Sequence, residues 1–176
     1  MAKLIMGIGV PGSGKTTILK PFAEENSYTY ISPDDIRFEM LGDATEQSKN
    51  KEVWEEAHRR TADALRRGET VVFDATFAKD FERKEFIRFA REHGASKVQG
   101  MVAAVPMEVA LERNRLREPM VPEHAIRRMH NMLIRTPPVV EDGFDSVFDI
   151  GELQQLKRAE TRGEHTPIIR EFKKLR

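Results

Sequence analysis

The sequence predicts an α/β fold: a parallel sheet flanked by helices, with a phosphate-binding loop at its edge and a helical lid. Three observations predict it. Strand-like apolar runs alternate with helix-like runs, as parallel strands joined by crossover helices require. Residues 9–16 read G-V-P-G-S-G-K-T, which meets the pattern G-x-x-x-x-G-K-[ST] at every fixed position. The apolar run Leu4-Ile5-Met6-Gly7-Ile8 precedes that octapeptide and Thr17-Ile18-Leu19 follows it, giving the strand–loop–helix context the motif needs.

The elements follow in order. After the loop a helix is expected from Thr16 to about Asn26, with Ile18, Leu19, Phe22 and Ala23 on one face. Pro21 should kink it, because proline removes a backbone donor and crowds the preceding turn. Tyr28-Thr29-Tyr30-Ile31 reads as a short second strand. Ser32-Pro33-Asp34-Asp35 reads as a helix start, with Ser32 as N-cap, Pro33 at the first position and an acid three residues after the cap. A long polar helix is expected over Ser48–Arg67, striped by Val53, Trp54, Ala57, Thr61, Ala64 and Leu65 and stopped by Gly68. Thr70–Asp74 is a buried strand ending in an acid. Asp80–His93 is a helix with Phe86, Phe89 and Ala90 inward and Gly94 as its stop. Val98–Val105 is the next strand. Pro106 opens a helix to about Arg117, Met120-Val121-Pro122 breaks the chain, and Pro122–Ile134 is helical again. Pro137-Pro138 links to a last strand, Ser146–Ile150. The stretch 154–165 is charged and weakly patterned, and Thr166-Pro167 caps a short terminal helix through Leu175. One domain over 1–176 is expected, with a core at 3–150 and a C-terminal extension at 151–176.

Composition narrows the class. Charged residues make up 33% of the chain, yet the formal net charge is zero, so any basic surface must be local. There is no cysteine, which rules out disulfides and thiolate metal sites. The first residues lack the length and flanks of a signal peptide, and no run approaches the ~20 apolar residues of a membrane span. A soluble, cytoplasmic protein with no membrane partner is expected.

The loop is the first site candidate. Its glycines let backbone N–H groups turn inward around phosphate oxygens, and the following helix N-terminus adds free donors and partial positive charge. Gly9, Pro11, Gly12, Ser13, Gly14, Lys15, Thr16 and Thr17 are therefore the expected nucleotide contacts. Lys15 should reach the β- and γ-phosphates and the Thr16 hydroxyl should bind Mg²⁺. Asp74, at the carboxyl end of a buried strand, sits at the edge where such sheets bind ligands. It would organise Mg²⁺ through water or orient a basic residue; the alternative is an acid capping the next turn. Asp34, at the mouth of the second strand, suits a carboxylate that accepts a hydroxyl proton, and helix capping competes with that reading. Asp35 is the better capping acid. Arg37 follows on Asp34's helical face and could hold an acceptor phosphate. Arg113 and Arg117, four apart, put two guanidinium groups on one helical face between Pro106 and Pro122, as a moving lid would; the alternative is a solvated charged helix. Arg127, Arg128, His130 and Arg135 form a basic stretch beside this lid. Isolated histidines such as His58 read as surface residues, and no His/Asp spacing suggests zinc.

G-V-P-G-S-G-K-T-T, S-P-D-D-I-R, V-V-F-D-A-T-F and V-P-M-E-V-A-L-E-R-N-R-L-R with M-V-P, in this order and separation, closely resemble the kinase module of the polynucleotide 5′-kinase family. Pro138 to Phe144 resembles that family's P-x-x-x-E-G-F segment, and the likeness covers about residues 3 to 150. The resemblance implies a P-loop kinase that transfers the γ-phosphate of ATP or another NTP, with Mg²⁺, to the 5′-hydroxyl of DNA or RNA ends. It implies Lys15 and Thr16 on donor phosphates and metal, Asp34 as general base, Arg37 on the acceptor's 3′-side phosphate, and Arg113 and Arg117 as lid arginines on donor and transition state. It places Asp74 and Val121 on the acceptor side, Asp74 orienting a lid arginine or the acceptor. Ser32-Pro33 stands where relatives often carry polar or basic residues. The chain lacks the D-x-D-G-T motif of the phosphatase often fused to this kinase, so phosphorylation without 3′-phosphate removal is implied. A small-molecule kinase and a non-catalytic nucleotide switch are the rival readings.

Overall fold

A computed structural model describes residues 1–151. The expected C-terminal helix and the charged stretch before it lie outside the described residues. The elements run β1 (Lys3–Ile8), α1 (Lys15–Glu25), β2 (Thr29–Ile31), α2 (Pro33–Leu41), α3 (Asn50–Arg66), β3 (Thr70–Asp74), α4 (Asp80–Glu92), β4 (Lys97–Val102), α5 (Met107–Arg115), α6 (Glu123–Arg135) and β5 (Ser146–Asp149). The five strands form one sheet in the order β2-β3-β1-β4-β5, with every pairing parallel. β1 lies at the centre, between β3 and β4, and the chain order changes direction there. In an open parallel sheet that position opens a crevice at the carboxyl ends of the strands.

The side-chain period of two sorts the core onto two faces. Leu4, Met6 and Ile8 of β1 and Val71 and Phe73 of β3 point to one face. They meet Val53, Ala57, Ala64 and Leu65 of α3 and Phe86, Ile87 and Ala90 of α4. Ile5 and Val72 point the other way, onto Leu19, Phe22 and Ala23 of α1. Each fully buried Leu, Ile or Phe of this kind contributes about 1.5–3 kcal/mol relative to exposure. Both faces are covered, which explains why the strands read as continuous apolar runs rather than as alternation.

Local signals hold well. Ser32 caps α2, its hydroxyl accepting from the Asp35 N–H at 3.5 Å, with Pro33 at the first position. Gly42 and Gly68 end α2 and α3 at positive φ. Pro21 sits inside α1 on its exposed side, and the helix continues through it to Glu25. Three expectations need correction. β4 stops at Val102 and not Val105, because the chain peels away toward Pro106. α5 stops at Arg115 and not near Arg117. His58 is not a surface residue: it is half-buried against Trp54, Phe86 and Phe89.

Arg83 of α4 was not anticipated. Its side chain is fully buried. It donates to Asp142 Oδ2 at 2.7 Å and to the carbonyls of Phe77 at 3.1 Å and Thr136 at 2.8 Å. One guanidinium thus ties α4 to the segment after β3 and to the linker beyond α6. Phe77 in that segment carries φ 46°, which a non-glycine residue adopts only when its surroundings hold it there. Removing one partner of a buried ion pair leaves the other charge uncompensated. Asp142→Ala is expected to cost about 3–5 kcal/mol, or about 6–20 °C in Tm. Thermal unfolding checks this, and a Tm within about 2 °C of wild type would show that the carbonyls alone satisfy Arg83.

Candidate active site

The site is built on the end of β1. Gly12 and Gly14 both hold φ 82°, a conformation that side chains disfavour. At Gly12 a Cβ would also run into the Ala110 carbonyl of α5, so this glycine lets the loop lie directly against that helix. Gly14 is the N-cap of α1 and offers no side-chain cap. The first-turn N–H groups of α1 therefore point, uncapped by any side chain, into the cleft, which is the arrangement a phosphate fills.

Asp74 ends β3 in register with Gly7 of β1, next to the loop. Its side chain is only 2% exposed and carries three partners. Lys15 Nζ lies 2.9 Å from Oδ1. The Thr16 hydroxyl donates to Oδ2 at 2.6 Å and the Tyr30 hydroxyl donates to the same oxygen at 2.7 Å. Asp74 thus faces the loop lysine and threonine rather than Arg113 or Arg117. Sequence reading missed Tyr30, whose only signal was a phenol within a short strand. Burial first, and then the Asp74 carboxylate, push the Tyr30 phenol well above its ordinary pKa, so it stays protonated and donates. Tyr30→Phe removes a hydrogen bond to a charged acceptor and is expected to lower stability by about 1.5–3 kcal/mol. Denaturant unfolding of the two proteins tests this; identical midpoints would show that Thr16 and Lys15 suffice for Asp74.

The oxygen-rich pair of Thr16 and Asp74 fits a hard cation such as Mg²⁺, which keeps waters and nucleotide oxygens as most of its ligands. Among the described residues no group of three or more His, Asp or Glu gathers as a self-sufficient metal cage.

Across the cleft, Asp34 and Arg37 pair along the first turns of α2. Arg37 Nη1 donates to Asp34 Oδ1 at 2.6 Å, and Nη2 donates to Asn50 Oδ1 at 2.8 Å. The Arg37 side chain is 5% exposed while Asp34 is 69% exposed. The arginine is fixed in the wall and the carboxylate projects from it. Arg37 Nε is buried without a hydrogen-bond partner, so the group retains a donor. Asp35 instead pairs with Lys20 at 3.3 Å, half-exposed and away from the cleft.

Arg113 of α5 reaches the Ser13 carbonyl at 3.4 Å and lies beside Gly14. Arg117 lines the same cleft from the turn beyond α5, so the two guanidinium groups converge without sharing one helix face. Asn114 between them is buried and latches this turn: it donates to the Val121 carbonyl at 2.8 Å and accepts from the Val121 N–H at 3.0 Å. Val121 itself does not line the cleft. It packs with Val10, Ala110, Leu111 and Ile126. Of the basic stretch on α6, only Arg128 lines the cleft. Arg127 turns to Met107 and Glu123, and the His130 ring meets the Val105 carbonyl.

One cavity of about 1090 Å³ joins the phosphate loop, Asp74, Asp34, Arg37, Arg113 and Arg117. It runs from the phosphate loop past Asp34 and Arg37 to a wall of Trp54, His58, Phe77, Phe86 and Phe89. That volume lies slightly above the range of about 300–1,000 Å³ usual for a single small-molecule site.

Comparison with known proteins gives a concordant picture. A family profile described as AAA domain matches residues 4–135. A protein of Acanthamoeba polyphaga mimivirus named as a bifunctional polynucleotide phosphatase/kinase is 29% identical over 115 residues, which cover 65% of this chain and 24% of that protein. A chain of the Pnkp1/Rnl/Hen1 RNA repair complex superposes with TM-score 0.69 at 23% identity, covering 82% of this chain and 46% of its own. This chain therefore spans less than half the length of either. A sugar kinase from Janibacter sp. matches with TM-score 0.59 at 22% identity, covering 92% of this chain and 94% of that one. A shikimate kinase from Bacteroides thetaiotaomicron matches with TM-score 0.55 at 20% identity, covering 84% and 86%. The fold is that of P-loop kinases, and the likeness to polynucleotide kinases read from the motifs recurs in the first two matches. On the span of the matching profile, the chain belongs to the AAA domain family.

Proposed function

We propose that this P-loop kinase transfers the γ-phosphate of ATP, or another NTP, to the 5′-hydroxyl of a DNA or RNA end. The observation that carries the reading is the Asp34–Arg37 pair, joined at 2.6 Å within the cavity that holds the phosphate loop. It sets a projecting carboxylate beside a fixed guanidinium, as an acceptor with both a hydroxyl and a nearby phosphate requires. The likeness to named polynucleotide phosphatase/kinase and RNA repair proteins supports it.

In this reading the loop N–H groups and Lys15 hold the donor phosphates, and Thr16 with Asp74 would hold Mg²⁺, which would supply charge neutralisation to the donor. Asp34 accepts the proton of the attacking hydroxyl. The new oxygen–phosphorus bond forms in line as the bond to the β-phosphate oxygen breaks, and the diphosphate leaves. Arg37 holds the acceptor's adjacent phosphate. Arg113 and Arg117 meet the charge that shifts onto the transferring group. Arg117→Ala is therefore expected to lower kcat by about 10–100-fold with a smaller change in ATP affinity, because its contact strengthens in the transition state. Steady-state kinetics checks it; an unchanged kcat would return Arg117 to a solvated turn.

The near-complete overlap with a sugar kinase favours a second reading, phosphorylation of a small-molecule hydroxyl. Labelled ATP and Mg²⁺ offered to oligonucleotides, nucleoside 3′-phosphates, nucleosides, sugars and aminoglycosides decides between them. Label on the oligonucleotide and the nucleoside 3′-phosphate supports the proposal. Label only on a sugar or aminoglycoside overturns it.

A further inference from the structure

We propose that the aromatic wall of the cleft is the platform for the acceptor's terminal nucleobase, with Trp54, His58 and Phe89 as its stacking surface. The inference rests on the acceptor being a nucleic acid end and names the residues that would recognise its base.

The rings begin buried and end half-buried at the cavity. Phe73, Phe77 and Phe86 are buried and pack ring to ring, Phe73 and Phe86 at 4.4 Å between centroids. Trp54, the chain's only tryptophan, lies on them 6.0 Å from Phe73, yet it is only half-buried. His58, one turn along α3, lies 6.0 Å from Trp54 and 4.7 Å from Phe89 of α4. A row of three partly exposed rings thus crosses from α3 to α4, and all three line the same cavity as Asp34 and the phosphate loop.

His58 is held in place. Its Nδ1 lies 2.7 Å from the Trp54 carbonyl, which can only accept, so Nδ1 carries the proton and the ring is fixed against rotation. A rigid aromatic surface loses little conformational entropy when a flat ligand stacks on it. Met129 and Met132 of α6 line the cavity as well, adding polarizable apolar contact.

Charge selects the occupant. The lining holds six cations, Lys15, Arg37, Lys79, Arg113, Arg117 and Arg128, against four carboxylates, Asp34, Asp74, Glu82 and Glu85. Lys15, Arg113 and Arg117 serve the donor phosphates in the proposed reading, so the group that bears on the acceptor is Arg37, a buried guanidinium with a free Nε donor that suits a phosphate rather than an amine. A nucleotide end has both parts: a phosphate for Arg37 and a base for the rings. Base–aromatic stacking is tolerant of base identity because every base presents a π-face. The wall therefore recognises that a base is present more than which base it is.

The test uses two single-stranded oligonucleotides with the same 5′-hydroxyl, one ending in a normal nucleotide and one in an abasic residue. Wild type is expected to lose about 5- to 100-fold in kcat/KM on the abasic acceptor, mainly through KM. Trp54→Ala and His58→Leu should shrink that ratio toward one while leaving the KM for ATP unchanged. His58→Leu keeps the apolar contact without the ring and serves if Trp54→Ala fails to fold. Equal kcat/KM for both oligonucleotides with wild type overturns the platform and leaves the 5′-kinase proposal standing. Transfer to an aminoglycoside or sugar and to neither oligonucleotide overturns both.

Discussion

Lys15→Ala is expected to reduce phosphoryl transfer by about 10³-fold or more with every acceptor, because positioning and electrostatics supply most of the rate in this chemistry. Lys15 is the cation that can reach both the Asp74 carboxylate, at 2.9 Å, and a triphosphate seated on the α1 N-terminus. Its removal also alters the fold's electrostatics, so the rate loss must be separated from unfolding. Asp74 keeps the Thr16 and Tyr30 hydroxyls as donors to Oδ2 when Lys15 is gone, and those two bonds keep the buried carboxylate from being bare. A moderate fall in Tm with a collapse in rate is the expected pattern. Lys15→Arg keeps the charge but places a planar guanidinium where a compact ammonium fits between loop and carboxylate, and it should rescue stability more than activity. Melting curves, nucleotide binding and labelled-phosphate transfer on all three proteins check this. Turnover near wild type in Lys15→Ala would overturn the assignment of the loop as the donor site.

What the sequence disclosed and what it withheld divide along one line. Features encoded by neighbouring residues were legible: the octapeptide, the Ser32-Pro33 cap and the extent of β3, whose bounds at Thr70 and Asp74 were read without error. Helix stripes and glycine stops placed α3 and α4 within two residues of their ends. Groups that meet only through the fold were not legible. Tyr30 and Asp74 are 44 residues apart in sequence and Arg83 and Asp142 are 59 apart. No periodicity announces such partners. Arg83 sits on an amphipathic helix where a charge normally reads as solvated, and only the three acceptors waiting inside the core reverse that. His58 was misread for the same reason: its neighbours Phe86 and Phe89 come from another helix. Val121 is held the same way, since Asn114 latches its backbone from seven residues away and its side chain packs into a small apolar cluster.

The fold does not choose the acceptor. Sugar and shikimate kinases share it at TM-scores of 0.59 and 0.55, so the substrate must be argued from the site. The donor half of the cleft, loop, lysine and Asp74, would serve any of these chemistries. On the proposed reading the acceptor would meet a buried arginine with a donor to spare, a projecting carboxylate and a ring-lined wall. Substitutions of those groups are therefore the ones that discriminate between acceptors.

Asp34→Asn is expected to lower transfer by about 10²-fold or more while changing stability and ATP affinity little. The geometry makes this substitution unusually clean. Asp34 is 69% exposed, so its carboxylate is solvated and its loss costs the fold little. Asparagine keeps an oxygen that can accept from Arg37 Nη1, so the bond now at 2.6 Å has a replacement acceptor. Arg37 also keeps the Asn50 side chain and the Ala44 carbonyl, and the wall should stay in place. What asparagine cannot do is take a proton from a hydroxyl. Asp34→Ala is the poorer probe, because it strips a partner from a nearly buried guanidinium and mixes chemistry with packing. Asp35→Asn is the internal control: that residue pairs with Lys20 on the half-exposed outer side, where such pairs are worth about 0–1 kcal/mol, and its rate should stay near wild type. Full activity in Asp34→Asn would remove the general base. A rate loss matched by a large fall in Tm would assign Asp34 to helix capping, and the hydroxyl proton would need another acceptor in the cleft.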